Sequence, residues 1–334
     1  MPVLPIVALT LGDPAGTGPE LILKALAQPE VRALARLLVV GDAAVLGRAQ
    51  GYTGTGLRLH AISSPGAARF APDAIDVLDL KNVDLARLAM GQAQPMAGHA
   101  AYEYVKTAAE LALAGQAGAV VTSAINKAAL NAAGHHFDGH TGLLAEICRS
   151  PGATMMLVAD RLRVSHVSTH VSLRQAIDRV RPERILQVLQ LTHAAMQRLG
   201  FAQPKLAVAG LNPHAGEGGL FGDEEEKYIM PAITRARAAG LDASGPHPGD
   251  TIFFRTAHGE FDAAVAMYHD QGHVAAKMLG IWRGVNVTLG LPIIRTSVEH
   301  GTDFANAGTG RGDPRSLIEA LKLAAALARH PPRP

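Results

Sequence analysis

Ala263-Ala264-Val265-Ala266-Met267-Tyr268-His269-Asp270-Gln271-Gly272-His273 is the stretch whose reading decides the fold. Its first four residues form a short apolar run that reads as a buried strand. Ala275, Ala276, Lys277 and Met278 continue it as a helix. A His, an Asp, a Gln and a second His therefore sit where a parallel strand ends. In open α/β sheets that edge is where ligands bind. Four polar, chemically capable side chains are poor core material. The expectation is a site in which His269 binds a metal and the rest of the chain supplies its partners.

Strand, glycine turn and helix recur on both sides of this stretch. Ile6 to Leu11 reads as a buried strand, followed by Gly12-Asp13-Pro14-Ala15-Gly16-Thr17-Gly18-Pro19-Glu20 and a helix whose first turn suits Pro19. The glycine spacing is not the dinucleotide fingerprint. The turn reads either as a tight turn with exposed amides or as a ligand contact through those amides or Asp13. Leu37 to Asp42 repeats the grammar, and Ile75 to Leu80 reads as an edge strand. Ala119 to Thr122 is a buried strand opening into Ser123-Ala124-Ile125-Asn126-Lys127, where Ser123 is a ligand-edge residue or a helix cap. Thr154 to Ala159 and Leu162 to Val167 read as a hairpin around Asp160-Arg161, the sign of a second subdomain. Helices are expected over 100–114, 182–199 and 314–328, and strands over 205–210 and 285–289. Asp223 to Glu226 open a helix that Arg235 and Arg237 close, in keeping with its dipole. Pro246 to Thr251 leads into an expected strand, Ile252-Phe253-Phe254.

Composition narrows the class. A chain of 334 residues with 48% apolar and 18% charged residues suits a two-domain globular enzyme. A net charge of +2, without basic clusters among aromatics, argues against a nucleic-acid partner. Cys148 is the single cysteine, which leaves no disulfide within the chain and no Cys zinc motif. No apolar run has membrane-spanning length and no secretory pattern opens the sequence, so the expectation is a cytoplasmic protein.

Three histidines share one grammar: His170, His214 and His269 each follow a strand, flanked by small or polar residues. Neutral imidazole suits zinc, cobalt, nickel or ferrous iron, and three ligands with open positions is a catalytic pattern. Spacing alone leaves isolated loop histidines as the simpler alternative. Asp250 and Asp270 are placed to orient such ligands or take a proton. Lys277, Asn286 and Arg295 suit a phosphate or carboxylate. Gly139-His140-Thr141-Gly142 precedes a helix, where free amides favour an anion, while His135 and His136 read as solvated.

At these residues the chain resembles the 4-hydroxythreonine-4-phosphate dehydrogenase family of vitamin B6 synthesis. The markers span nearly the whole chain: Leu11-Gly-Asp-Pro-Ala-Gly, Gly139-His-Thr, Ser168-Thr-His-Val, Leu211-Asn-Pro-His-Ala-Gly-Glu, Met267-Tyr-His-Asp-Gln-Gly-His, Val285-Asn-Val-Thr-Leu-Gly-Leu-Pro and Arg295-Thr-Ser-Val-Glu-His-Gly-Thr. The resemblance implies an α/β, isocitrate/isopropylmalate dehydrogenase-like fold of two domains with a cleft between them. The expected division is 1–133 plus 288–334 as one domain. The other, 134–287, carries the metal ligands and dimer contacts. It implies a homodimer with the active site at the interface. It implies a divalent metal (zinc, magnesium or cobalt) on His170, His214 and His269. His140, Thr141, Lys277, Asn286 and Arg295 become substrate contacts, and Lys277, Asp250 and Asp270 the catalytic proton carriers. The implied reaction uses NAD or NADP to oxidise and decarboxylate 4-phosphooxy-L-threonine to 3-amino-2-oxopropyl phosphate. Gly142 departs from the family, whose pyridoxine branch typically has Glu there. That opens the paralogue substrates, 4-phospho-D-threonate or 4-phospho-D-erythronate, and more remotely a terephthalate cis-dihydrodiol.

Overall fold

The computed structural model describes residues 4–280 and 284–329. The ends of the expected domains, 1–3 and 330–334, and residues 281–283 lie outside the described residues. The strands are β1 (Ile6–Thr10), β2 (Arg36–Gly41), β3 (Arg58–Ile62), β4 (Ala74–Asp79), β5 (Ala119–Thr122) and β6 (Thr154–Ala159). They continue as β7 (Leu162–His166), β8 (Leu206–Ala209), β9 (Ala243–His247), β10 (Ala263–Ala266), β11 (Val285–Leu289) and β12 (Arg295–Val298).

The described residues form two compact units. One runs up to Gly152 and takes in Leu291–Arg329; the other runs from Ala153 to Gly290. The boundary thus falls after Gly152 rather than after residue 133. The helix His140–Ile147 packs against the helix Pro95–Leu113 and so belongs to the first unit.

In the first unit the strand order is β3-β4-β2-β1-β5-β12, all parallel. The edge is β3, and β4 lies inside, so the expectation of an edge strand over 75–80 is corrected. Its burial agrees: Ile75, Val77 and Leu78 are all buried.

In the second unit the order is β11-β6-β7-β10-β8-β9. The expected hairpin is there, with β6 antiparallel to β7 and Ala159 opposite Leu162. From β7 onward the strands are parallel. Both faces are covered, and residue size alternates with the pleat. Val265, Leu206 and Val208 enter a core under the helices Pro182–Arg198 and Met230–Ala238. Ala264, Ala266, Ala207 and Ala209 face the opposite core, under the helices Ile252–Ala257 and His269–Leu279. Alanines on that face let the site-bearing helix sit close to the strands.

The segment 252–254 is a helix, Ile252–Ala257, not a strand. Its buried residues, Ile252, Phe253 and Thr256, have helical spacing, while Phe254 is exposed. A three-residue apolar run cannot distinguish the two periods. The strand of this region is β9, just before it.

Candidate active site

Four neighbouring parallel strands, β7, β10, β8 and β9, deliver the chemistry of the second unit at one edge. His170 lies in the bend after β7, His269 opens the helix after β10, His214 follows β8, and Asp250 follows β9. Gln271 ties this edge together. Its Oε1 accepts from Met267 N at 2.7 Å, and its Nε2 donates to the Gly210 carbonyl at 2.7 Å. The ends of β10 and β8 are therefore latched by one side chain. Sequence reasoning named Gln271 but assigned it nothing; its place four residues after Met267, inside the polar run, was the signal.

His269 is held from two sides. Its Nδ1 meets Asp270 Oδ1 at 2.6 Å, and its ring stacks on His273 with centroids 3.5 Å apart. That hydrogen bond keeps the Asp270 carboxyl below its ordinary range. Behind them His166 is fully buried, its ring 4.7 Å from that of His273. Burial, and then the charge of His273, push His166 down to about 3. Gly272 makes this possible, since a Cβ there would lie 2.4 Å from His166 Nε2. His269, His273 and Lys277 follow at four-residue steps along one helix stripe, with Lys277 exposed in the last turn.

The fit of this edge to a metal is partial. His170 and His269 lie with ring centroids 5.7 Å apart. His214 is exposed and its ring neighbour is Phe221, at 6.3 Å. Among the described residues no three His, Cys, Asp or Glu side chains form a group that could hold a metal ion. The expected three-histidine centre is therefore not assembled. The five residues from His214 to Gly218 all run at positive φ, so the direction of His214 is set by this turn rather than by β8.

The loop carrying His214 is braced by an acid from the run 223–226. Glu225 is buried and accepts from Leu211 N at 2.7 Å, Asn212 N at 2.8 Å and Asn212 Nδ2 at 2.9 Å. The run is thus more than a helix start, and it opens on a π-helical turn, Glu225–Ile229.

The first unit gathers anion-binding groups. Arg295 on β12 is buried, and Thr122 Oγ1 on β5 accepts from its Nη2 at 2.6 Å and its Nε at 3.2 Å. Burial holds this guanidinium down to about 9. His140 opens the helix His140–Ile147, with Thr141 beside it. Burial, and then the charge of Arg295, keep the His140 imidazole well below its usual range, while a hydrogen bond to the Ser123 carbonyl acts the other way. His140 Nε2 and Ser123 Oγ are both buried without a partner. Ser123 is therefore not the helix cap; Asn126 is, accepting from Ala129 N. Over Gly142, Asp138 Oδ1 lies 2.6 Å from where a Cβ would stand. In the second unit Asn286 is on β11, its Oδ1 buried without a partner.

Two other sequence candidates lie in loops. The amides of Asp13, Ala15, Gly16 and Thr17 are all bonded within the protein. Burial raises the Asp13 carboxyl to about 6. His135 is a partly exposed loop residue, as read from the sequence, whose ring also stacks on Tyr102 and meets His99 at 3.0 Å.

In the first unit a buried guanidinium, Arg295, thus accompanies an imidazole, His140, whose Nε2 has no partner. Residues 33–324 match the family described as pyridoxal phosphate biosynthetic protein PdxA. The chain belongs to the PdxA family. D-threonate 4-phosphate dehydrogenase of Cupriavidus necator is 48% identical over 326 residues, 97% of this chain and 98% of that protein. 4-Hydroxythreonine-4-phosphate dehydrogenase of Desulforapulum autotrophicum is 43% identical over 322 residues, 96% of this chain and 95% of that protein. The crystal structure of a 4-hydroxythreonine-4-phosphate dehydrogenase from Burkholderia phymatum superposes with a TM-score of 0.87 at 46% identity, covering 97% of this chain and 98% of that one. The resemblance read from the sequence and its α/β class are thereby met. This PdxA-family chain is an oxidoreductase acting on a CH–OH group. Among its described residues no helix is long and apolar enough to cross a membrane.

Proposed function

We propose that the chain is an NAD(P)-dependent dehydrogenase of a four-carbon hydroxy acid carrying a 4-phosphate, with D-threonate 4-phosphate the favoured substrate. The observation that carries this reading is Arg295, a buried guanidinium beside an imidazole with an unpartnered nitrogen. A phosphate is the counter-charge such a pair takes. Thr141, Lys277 and Asn286 complete the proposed substrate contacts. The relative named for D-threonate is 48% identical, against 43% and 46% for the relative and the solved structure named for hydroxythreonine. A second reading, 4-phosphooxy-L-threonine, is favoured by Asp138, whose carboxylate over Gly142 offers a partner to an ammonium group.

The chemistry follows from the substrate. NAD or NADP, when bound, supplies the hydride acceptor. Oxidation of the C3 alcohol gives a β-keto acid and releases the hydroxyl proton. The C1–C2 bond then breaks, carbon dioxide leaves, and its electron pair passes into the ketone as an enolate. A proton returned to C2 gives dihydroxyacetone phosphate from D-threonate 4-phosphate. The amino substrate would give 3-amino-2-oxopropyl phosphate. Arg295 and His140 fix the phosphate and so orient C3. Asp250, Asp270 and Lys277 are the proposed proton carriers; Asp270, kept ionised by His269, is suited to accept one. A divalent cation on His170, His214 and His269 is part of the proposal, supported by their common strand edge. Because His214 is not gathered with the other two, none of these steps depends on it. A cytoplasmic homodimer completes the proposal, supported by Val274 and Met278, 61% and 82% exposed on the helix that carries His269.

Arg295→Ala tests the carrying observation. It is expected to lower kcat/KM for the phosphorylated substrate by about 100-fold or more, as a charge-assisted bond to an anion implies. Arg295→Lys, which keeps the charge but loses the fork, is expected to fall between. A folded Arg295→Ala enzyme with unchanged kcat/KM would contradict the reading.

A further inference from the structure

We propose that the first unit carries a second small-molecule site, a cavity beside Arg36 that takes a monocarboxylate with a compact apolar body. The site is separate from Arg295 and His140 and stands without the reaction proposed above. It lies at the amino end of the sheet: Arg36 opens β2 and Ala74 opens β4, two parallel neighbours. Thr122 and the residues after it lie at the other end, where β5 finishes. The cavity has a volume of about 330 Å³. Leu26, Phe70 and Ile75 are among its apolar walls, and its charged members are Arg32, Arg36 and Asp76. Pockets for small ligands have this size and pair apolar walls with a few polar groups.

Charge decides the occupant. Asp76 is buried, and its oxygens are already engaged. Oδ1 accepts from His60 Nδ1 at 2.6 Å and from Arg69 N at 3.2 Å. Oδ2 accepts from Phe70 N at 2.6 Å and from Arg69 N at 3.2 Å. A carboxylate has about four acceptor positions, so none is left for an arginine. The same bonds hold Phe70 at a φ of 51°, a conformation rare for a bulky residue, and so place its ring. The Arg36 guanidinium lies over that ring, with Cζ 4.3 Å from the ring centre. Such a stack uses the flat face of the guanidinium, while its N–H donors lie in the plane and stay available. Among the described residues the Arg36 side chain has no hydrogen bond or ion pair. Arg32 gives one N–H to the Leu26 carbonyl. The cavity thus combines apolar walls with two cations and no acid that can answer them. A neutral apolar molecule would leave the Arg36 donors unmet, and phosphate would bring nothing to cover Leu26 and Ile75. A carboxylate meets a guanidinium fork with two parallel charge-assisted bonds, and its hydrocarbon part covers the walls.

The test is calorimetric titration of the full chain with benzoate, and with benzyl alcohol as its uncharged counterpart. Benzoate is expected to bind saturably at one site, and benzyl alcohol at least about tenfold more weakly, as loss of a charge-assisted pair implies. Arg36→Gln is expected to weaken benzoate by about tenfold or more. Ala71→Phe, which brings a ring into the cavity from a half-buried loop position, is expected to abolish binding. Arg295→Ala and added inorganic phosphate are both expected to leave benzoate binding unchanged. No saturable binding up to about 10 mM benzoate would overturn the proposal. So would unchanged binding in Arg36→Gln or Ala71→Phe, or benzyl alcohol binding as tightly as benzoate. Competition by phosphate, or loss of binding in Arg295→Ala, would place benzoate at the other site and overturn it as well. A chain lacking residues 1–3 that binds benzoate more than about tenfold more tightly would give the cavity to that segment, and so also overturn the proposal.

Discussion

His166 ends β7 wholly buried, and its imidazole is held down to about 3 by burial and by His273. An unfolded histidine titrates near 6.5, so between these values the unfolded chain binds a proton that the folded one does not. Stability from this residue is therefore complete above about pH 6.5 and is lost as pH falls toward 3, by roughly 1.4 kcal/mol per pH unit. Urea unfolding of the wild type and of His166→Gln between pH 6.5 and 5 checks this: the variant is expected to show the shallower dependence. Gly272→Ala, pushing a methyl group against His166 Nε2, is expected to cost about 1–3 kcal/mol by the same measurement. At this scale the sequence reading found the polar run but not its division of labour. His269, Asp270, Gln271 and His273 all look like ligands when read in a line. Only the helix shows that His273 lies under His269 and that Gln271 turns back to latch Met267 to Gly210. The buried, unpartnered Nε2 of His140 was equally illegible, because burial of a histidine beside a glycine turn depends on packing that local pattern does not record.

The loop after β8 depends on Glu225. Glu225→Ala would leave the Leu211 and Asn212 amides without their carboxylate and is expected to destabilise the fold by roughly 3 kcal/mol. Amide hydrogen exchange should quicken over 210–216 while β10 keeps its protection; Glu225→Gln, which retains one acceptor oxygen, should be milder. Strands with long apolar runs, such as β1, β5 and β10, were legible because burial on both faces leaves an unbroken run. The hairpin of β6 and β7 was legible from its two-residue turn. The helix Ile252–Ala257 was not, since three apolar residues fit either period. The inside position of β4 was not, since order within a sheet is set by crossovers that local pattern does not record. The acidic run misled by agreeing with a helix start while its third member, Glu225, served the loop after β8.

The exposed apolar side chains Val274 and Met278 stand four residues apart on the helix that carries His269 and Lys277. A homodimer covering them would mass about twice the chain's 34.9 kDa in light scattering. Val274→Asp with Met278→Asp is expected to shift that mass to the monomer; a wild-type monomer would contradict the dimer. The α/β class was legible in advance, through motifs spread from Leu11 to Thr302. The boundary was not, because it depends on packing of the helix His140–Ile147 against the helix Pro95–Leu113. At Gly142 the sequence shows an empty position, and the structure shows the Asp138 carboxylate over it. The most direct measurement of the whole account is steady-state reduction of NAD and NADP by the purified protein with divalent metal. The substrates are D-threonate 4-phosphate, 4-phosphooxy-L-threonine and the terephthalate cis-dihydrodiol, with product identified by mass. The account predicts one carbon dioxide released per reduced nucleotide, dihydroxyacetone phosphate as the major product, and no turnover of the dihydrodiol. Reduction with the dihydrodiol alone, or with no substrate of the three, would contradict it.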